Sequence, residues 1–241
     1  MRITRLVTGT LSVGLLGLTP IAIAAPSQAA DTWTTTTAAT PSATQVKYGD
    51  DIYVSVDIAS SDGYSPGGAD GTSTLYALEA GSSTWVPVAT ADSTYSSFYD
   101  VKPKMNTTYK VVYSGHTDPV QDLYADNYAP SESAAFTVGV ARNVTIDKAK
   151  ARLTIKGKVK PDYKRNKVKI QIKKGKKYVK YRTIKTNKKS KFQVRLPAPR
   201  RGNKLYFKIT VPGNSKFMSY SEVWYTYSYR PNMDPRAVAH N

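Results

Sequence analysis

Hydrophobic and polar residues alternate along short stretches in both halves of the chain. In residues 51–58, DIYVSVDI, every second residue is Ile or Val. Residues 204–211, KLYFKITV, alternate Leu, Phe, Ile and Val with Lys, Tyr and Thr. Successive side chains of a strand point to opposite faces, so this period of two predicts strands with one face on an apolar core.

Similar short stretches recur along the chain between turns rich in Gly, Pro, Asn and Asp. None of them has the three-to-four-residue spacing of apolar positions that indicates an amphipathic helix. Short strands at regular intervals with turn residues between them predict an all-β protein. The further predicted strands lie at 72–79, 84–90, 94–101, 107–114, 134–140, 152–160, 167–173, 191–196 and 220–229.

The two halves of the chain resemble each other. LYALEAGSSTWVPVAT (75–90) matches IQIKKGKKYVKYRT (170–183) as strand, Gly-containing turn, aromatic residue and strand. VKPKMNTTYKVVYSG (101–115) matches LPAPRRGNKLYFKITVPG (196–213) as a Pro-containing turn and a strand that ends before Gly. A repeat of about one hundred residues with about seven strands predicts two tandem immunoglobulin-like β-sandwich domains.

Three motifs carry a resemblance to a known family. YGDDIYVSV, TSTLYALEAGSSTWVPVATA and TTYKVVYSG resemble the Ig-like repeats of secreted Gram-positive, in particular actinobacterial, proteins. The resemblance covers most of residues 40–229, but Tyr178 stands at the Trp position of the second half, whose surface is basic. The resemblance implies the fold and little about function, because such modules serve as spacers, adhesins and accessory domains of enzymes.

Residues 1–30 have the pattern of a cleaved signal peptide. Arg2 and Arg5 precede the apolar run 6–25, and small residues follow it. We therefore expect a secreted, extracellular protein of about 210 residues with no integral membrane segment after processing. The chain contains no cysteine, so its stability must come from apolar cores without disulfides.

Charge divides the chain near residue 140. Residues 31–140 hold 4 basic and 13 acidic side chains, whereas residues 141–241 hold 29 basic and 4 acidic ones. This change predicts an acidic domain at 31–140, a strongly basic domain at 141–230 and a flexible tail at 231–241. The segment GVARNVTI (139–146) is a short predicted linker, so we expect the domains to stack end to end with limited hinge motion.

Residues for catalysis are scarce. The two histidines, His116 and His240, lie in a loop and next to the C-terminus, and no metal-binding or phosphate-binding motif is present. We expect a protein that is not an enzyme and has no cofactor or metal. The loop aspartates could bind calcium, but solvated turn residues are the favoured interpretation. They are Asp62, Asp70, Asp118, Asp122 and Asp126.

Strand alternation points the lysines of the second half outward on both sheets, which predicts a surface for polyanions. Lysine is a point charge that suits loose retention on a polymer more than bidentate phosphate recognition. The expected partner is an anionic wall polymer or polysaccharide, with extracellular DNA as a further candidate and retention at the cell envelope as a consequence. The candidate residues are Lys167, Lys169, Lys173, Lys174, Lys176, Lys177, Lys204, Lys208 and Tyr206.

Other interpretations stay open. The basic domain could dock on the acidic one, or its charge could serve solubility alone. An adhesin or inhibitor-like module would bind a specific protein through loops 61–71 and 116–133 of the acidic domain. Tyr124 and Tyr128 of the second loop are candidate partner residues for that function, or else they hold the loop onto the sandwich.

Overall fold

The computed structural model describes residues 31–92, 97–120, 125–148, 151, 153–198 and 204–227. Every regular element in these ranges is a β-strand, which confirms the all-β prediction. The signal peptide predicted at 1–30 and the tail predicted at 231–241 lie outside the described residues.

The first sandwich consists of two main sheets. One has the strand order β2-β4-β7, and the other has the order β3-β11-β8-β5-β6 with β10 also paired to β8. Strands β1 and β9 form a separate parallel pair. The strands are β1 (Thr32–Trp33), β2 (Thr35–Pro41), β3 (Gln45–Lys47), β4 (Ile52–Ser60), β5 (Ser73–Glu79), β6 (Val86–Ala91), β7 (Phe98–Val101), β8 (Thr107–Tyr113), β9 (Asn127–Tyr128), β10 (Ser131–Glu132) and β11 (Phe136–Ala141).

The second sandwich repeats this plan with seven strands. A three-stranded sheet has the order β12-β13-β16, and a four-stranded sheet has the order β15-β14-β17-β18. The four-stranded order matches β6-β5-β8-β11 of the first sandwich, as expected for a tandem of Ig-like domains. The strands are β12 (Asn143–Lys148), β13 (Thr154–Lys160), β14 (Lys167–Lys174), β15 (Lys177–Lys185), β16 (Lys191–Arg195), β17 (Lys204–Val211) and β18 (Tyr220–Tyr227).

Each sandwich encloses its own apolar core, built from the alternating residues. In β4, Ile52, Val54, Val56 and Ile58 are buried while the residues between them are exposed. In β17, Leu205, Phe207, Ile209 and Val211 are buried in the same way. Gly157 of β13 lies against the ring of Phe192, where a Cβ atom would clash, so a small residue is needed at this inward position.

Several parts of the chain differ from the sequence-based prediction. The short strands β1, β3, β9 and β10 were not predicted. Strand β2 was not predicted, because its Thr- and Ala-rich sequence lacks a row of large apolar residues. The predicted linker 139–146 is instead the end of β11 and the start of β12. Only Arg142 lies between these strands, so the connection has almost no length over which to bend.

The two sandwiches contact each other around the turn 214–218. The Met218 amide donates to the Val140 carbonyl at 2.8 Å, and the Asn106 amide donates to the Lys216 carbonyl at 2.9 Å. The Lys47 ammonium lies 3.0 Å from the Glu222 carboxylate. Backbone hydrogen bonds of this kind require a defined relative position, which supports the expectation of limited hinge motion.

Arg142 packs its side chain into the second sandwich at this joint. Its guanidinium carbon lies 4.7 Å from the Tyr163 ring centroid and 4.2 Å from that of Phe217. The residue is 4% exposed, and its Nε and Nη1 atoms have no hydrogen-bond partner among the described residues. Burial lowers the pKa of Arg142. Contact with two aromatic faces therefore stabilises this cation, the role that an ion pair has at other buried charges.

Replacing Arg142 with Ala should lower the free energy of unfolding by about 2–4 kcal/mol, because the stacked side chain and its contacts are lost. Urea unfolding of the whole chain measures this change. Arg195→Ala removes the same charge from an exposed strand position and should change stability by less than about 0.5 kcal/mol. Equal effects of the two substitutions would contradict the role of Arg142.

Candidate anion-binding face

Most of the predicted candidate residues lie on the outer face of the four-stranded sheet. Lys167, Lys169 and Lys173 occupy alternate positions of β14, and their neighbours Val168, Ile170 and Ile172 are buried. On β17, the same alternation turns Lys204, Tyr206 and Lys208 outward. The predicted candidates Lys174, Lys176 and Lys177 lie at the β14–β15 hairpin, where Lys174 pairs with Lys177.

Strand register places these residues in rows across the sheet. Lys208 lies opposite Gln171 on one side and Val223 on the other, and Thr210 lies between Lys169 and Ser221. We call the outward residues of the four strands the lysine–tyrosine face. They are Lys167, Lys169, Gln171, Lys173, Tyr178, Lys180, Thr183, Lys185, Lys204, Tyr206, Lys208, Thr210, Ser221, Val223, Tyr225 and Tyr227.

This face carries no carboxylate at the outward positions of its four described strands. The one acid of β18, Glu222, points away from the face and binds Lys47 of the first sandwich. A hydrogen bond from the Tyr220 hydroxyl, followed by the contact with Lys47, holds the pKa of Glu222 below its ordinary value. The ammonium groups of the face are therefore free of intramolecular competition from carboxylates on the same surface.

Three tyrosines surround Lys204 at one end of the face. The Lys204 ammonium lies 4.1 Å from the Tyr225 ring centroid, 5.1 Å from that of Tyr206 and 5.8 Å from that of Tyr227. A hydrogen bond with Tyr206 is the main cause that raises the pKa of Lys204, so the side chain is charged at neutral pH. We call Tyr206, Tyr225 and Tyr227 the tyrosine cluster.

Further cations lie close to half-buried rings. The Lys173 ammonium is 5.3 Å from the Tyr206 centroid, and the Lys208 ammonium is 5.7 Å from the Tyr178 centroid. Tyr206 thus lies among lysines, as the sequence indicated. Trp224 of β18 packs against the core of the second sandwich. The sequence pattern did not single out Tyr225 and Tyr227, because the register of the last strand was not determined.

An open depression of about 480 Å³ crosses the middle of the face. Lys169, Lys180 and Lys208 line it together with short polar side chains. A depression bordered by three cations and open to solvent can hold a segment of an extended anionic chain.

The predicted partner residues of the loop 116–133 are placed differently. Tyr128 is 6% exposed and packs with the core of the first sandwich, so its side chain is not on the surface as a partner residue must be. Its backbone exchanges two hydrogen bonds of 2.9 Å with His116. Tyr128 therefore holds the loop onto the sandwich, the alternative role that the sequence left open. Tyr124 lies outside the described residues.

The loop aspartates bind their own turns. Asp62 accepts a hydrogen bond from the Tyr64 amide, Asp70 accepts one from the Gly67 amide, and Asp118 accepts one from the Val120 amide. Within the described ranges, no three His, Cys, Asp or Glu side chains come close enough to hold a metal ion together. Asp122 lies outside the described residues. These contacts are typical of carboxylates that stabilise turns.

Comparisons with known proteins give only distant structural likenesses. No protein-family model matches the chain, and no curated protein matches its sequence. A tetra-tandem repeat from the extending region of a large adhesion protein has 10% identity and a TM-score of 0.30, covering 81% of this chain and 49% of that one. The chain thus spans about half of that structure.

Two fibronectin type-III domains of chicken tenascin have 12% identity and a TM-score of 0.35, covering 78% of this chain and 97% of that one. The ligand-binding domain of human OSCAR has 12% identity and a TM-score of 0.26 with the same coverage. Likenesses this distant do not bear on function, and the fold assignment depends on the strand order and the two cores.

Replacing Tyr128 with Ala should lower the free energy of unfolding by about 3–5 kcal/mol, because a buried aromatic side chain is lost from the first core. Urea unfolding measures the loss. Tyr64→Ala is the matched control, because Tyr64 is 75% exposed and its loss should cost less than about 0.5 kcal/mol. Unchanged stability in the Tyr128 variant would contradict the burial of this side chain and would support its role as a surface partner residue.

Proposed function

We propose that the chain is a secreted, non-enzymatic binding protein with an acidic domain at 31–140 and a basic domain at 141–230. The basic domain associates electrostatically with anionic polymers of a cell envelope or extracellular matrix. The observation that carries this proposal is the lysine–tyrosine face, where seven lysines stand at outward strand positions without an intervening carboxylate.

Strand geometry suits these lysines to a polymer. Alternate residues of a strand are about 7 Å apart, and neighbouring strands are about 4.8 Å apart. An anionic chain that runs along β14 passes lysines at three of the four outward positions, and along β15 or β17 it passes lysines at two of four. Because the charges are lysine ammonium groups, the attraction needs no bidentate geometry and is sensitive to salt.

The joint between the sandwiches determines how the chain is oriented on the polymer. Residues 31–140 carry an excess of nine acidic side chains, so an anionic polymer repels the first sandwich while it attracts the second. The contacts at Arg142 and Met218 hold the two in a defined relative position. In this arrangement the second sandwich lies on the polymer and the first projects from it.

Location outside the cell depends on the signal peptide predicted at residues 1–30. In the described part of the chain, no helix has the length and hydrophobicity needed to cross a membrane. Retention at an envelope then comes from the basic surface itself.

A second candidate function is an adhesin or inhibitor-like module that binds a specific protein through the first sandwich. Tyr128 does not support it, because that side chain is buried. Support comes instead from exposed aromatic side chains on two paired strands of this sandwich, β4 and β7. Tyr53 is 50% exposed, Tyr99 is 74% exposed, and their rings lie 6.3 Å apart. Exposed aromatic residues are enriched in protein interfaces.

Substitution of Lys169, Lys173 and Lys208 by Gln tests the proposed function. Binding of the processed protein to inorganic polyphosphate is measured from 50 to 300 mM NaCl by fluorescence anisotropy. The slope of log K against log salt should fall by about two to three, close to the number of charges removed. The wild-type chain should bind at low salt and dissociate at high salt.

The matched control removes three lysines from the other sheet of the same sandwich. Lys156, Lys158 and Lys191 are exposed on β13 and β16, and their substitution by Gln should change the slope by less than about one. Equal changes would show a diffuse charge effect with no preferred face. A wild-type chain that binds no polyanion at low salt would contradict the proposed function.

A further inference from the structure

We infer that the tyrosine cluster is a sugar-ring subsite, and that the polymer bound by this face is an acidic polysaccharide whose ring sugars carry carboxylates. This inference rests on the proposed function and names the ligand class of the same site. Its starting point is that one end of the face combines exposed aromatic rings with cations, whereas the middle of the face offers cations alone.

The cluster is held in place by the pairing of β17 with β18. Tyr206 lies directly opposite Tyr225, and Lys204 lies directly opposite Tyr227. The rings of Tyr206 and Tyr225 are 6.0 Å apart, and those of Tyr225 and Tyr227 are 5.7 Å apart. The positions of the three rings are therefore set by the sheet and do not depend on a loop.

Much of this aromatic surface is open to a ligand. Tyr225 is 56% exposed and Tyr227 is 53% exposed, although an aromatic side chain normally gains stability by burial. Among the described strands, β18 is the edge of its sheet, so no described strand covers its outer side. The two rings stand nearly perpendicular to each other, at 88°, so the face of either ring can serve as a platform for about one sugar ring.

The chemistry of the platform matches a sugar acid. An aromatic face carries a negative quadrupole, and the C–H groups of a pyranose ring present a weakly positive apolar surface that rests on it. Lys204 and Lys173 lie within 5.3 Å of the Tyr206 centroid, where their ammonium groups can bind the carboxylate of the same sugar or of its neighbour. A charge-assisted hydrogen bond to a carboxylate is short and comparatively strong.

Other polyanions use this end of the face less well. A polyphosphate chain has no ring to place on the tyrosines. Single-stranded nucleic acid would stack successive bases on rings that are roughly parallel, but the interplanar angles here are 53° between Tyr206 and Tyr225 and 88° between Tyr225 and Tyr227. A pyranose rests the C–H groups of one face on a single aromatic ring, so it does not require the three rings to be parallel.

The internal repeat provides a comparison within the chain. In the first sandwich, β8 and β11 take the places of β17 and β18. The outward residues of β8 are Thr108, Lys110 and Val112, and Lys110 is paired with Glu132 at 2.7 Å. Lys110 also lies 5.0 Å from the Trp85 ring centroid. The lysine of this strand is therefore beside one aromatic ring and is paired with a carboxylate, whereas Lys204 of the second sandwich lies among three tyrosines.

The test compares the variant Tyr225→Ala/Tyr227→Ala with the wild-type chain on three probes of similar charge: oligogalacturonate, inorganic polyphosphate and oligo(dT). Affinity for oligogalacturonate should fall about tenfold, the loss expected when ring stacking is removed. Affinity for polyphosphate should change less than about twofold, because no lysine is altered. Calorimetry or anisotropy at fixed salt measures each constant.

Two controls separate stacking from other effects. Tyr225→Phe/Tyr227→Phe keeps the rings and should retain affinity for oligogalacturonate within about twofold. Tyr53→Ala/Tyr99→Ala removes an exposed tyrosine pair from the first sandwich and should leave all three affinities unchanged. Far-ultraviolet circular dichroism and thermal unfolding show whether each variant retains the fold. The single variant Tyr227→Ala, which removes one exposed ring, replaces the double Ala variant if the latter unfolds.

The outcomes distinguish this inference from the proposed function. If the wild-type chain binds none of the three probes, the proposed function itself fails. If it binds all three and the Ala variant binds oligogalacturonate as tightly as wild type, only the sugar-ring subsite is overturned. A larger loss for oligo(dT) than for oligogalacturonate would overturn the subsite in favour of a nucleic-acid ligand.

Discussion

Every lysine of the lysine–tyrosine face stands next to an inward-facing apolar residue of its strand, and this neighbour determines the lysine's outward direction. In β14 and β17, each inward side chain belongs to a core that has no disulfide to support it. A shift of one residue would bury the lysines and expose the core residues, at a cost of several kcal/mol for each unpaired buried charge. The same alternation that builds the core thus determines the charged surface.

The second constraint is that a single residue connects the last strand of the first sandwich to the first strand of the second. Strand β11 ends at Ala141, β12 begins at Asn143, and Arg142 between them is packed against Tyr163 and Phe217. Two oppositely charged units are therefore held in one relative position by local contacts as well as by their overall charge. A polymer that attracts the second sandwich and repels the first can then orient the two as one rigid unit.

Strands with a strict row of Ile, Val, Leu or Phe could be predicted from the sequence, and so could the outward direction of Lys169 or Lys208. Strand β2 could not, because Thr and Ala alternate there with little contrast in hydrophobicity. The burial of Tyr128 could not be predicted either, since it depends on a contact between a long loop and a core that is distant in sequence. Tyr225 and Tyr227 became candidates only when pairing with β17 showed which side of β18 faces outward.

The basic stretch 166–196 could have been a flexible arm, and its composition alone does not distinguish an arm from a sheet. Alternation with buried Val168, Ile170, Phe192 and Val194 makes it part of a packed sandwich. A sheet holds its charged side chains at fixed spacings, whereas the spacing of charges on a flexible arm changes with the ligand. This difference underlies both the proposed polymer association and the sugar-ring subsite.

Native-state hydrogen exchange of the amides in β14 and β17 tests the central claim most directly, because it reports whether the lysine-bearing segments are part of the stable core. Amides paired between these strands, such as those of Ile170 and Ile209, should exchange only through opening events close in free energy to global unfolding. Exchange of these amides at the rate of an unstructured chain would contradict the account.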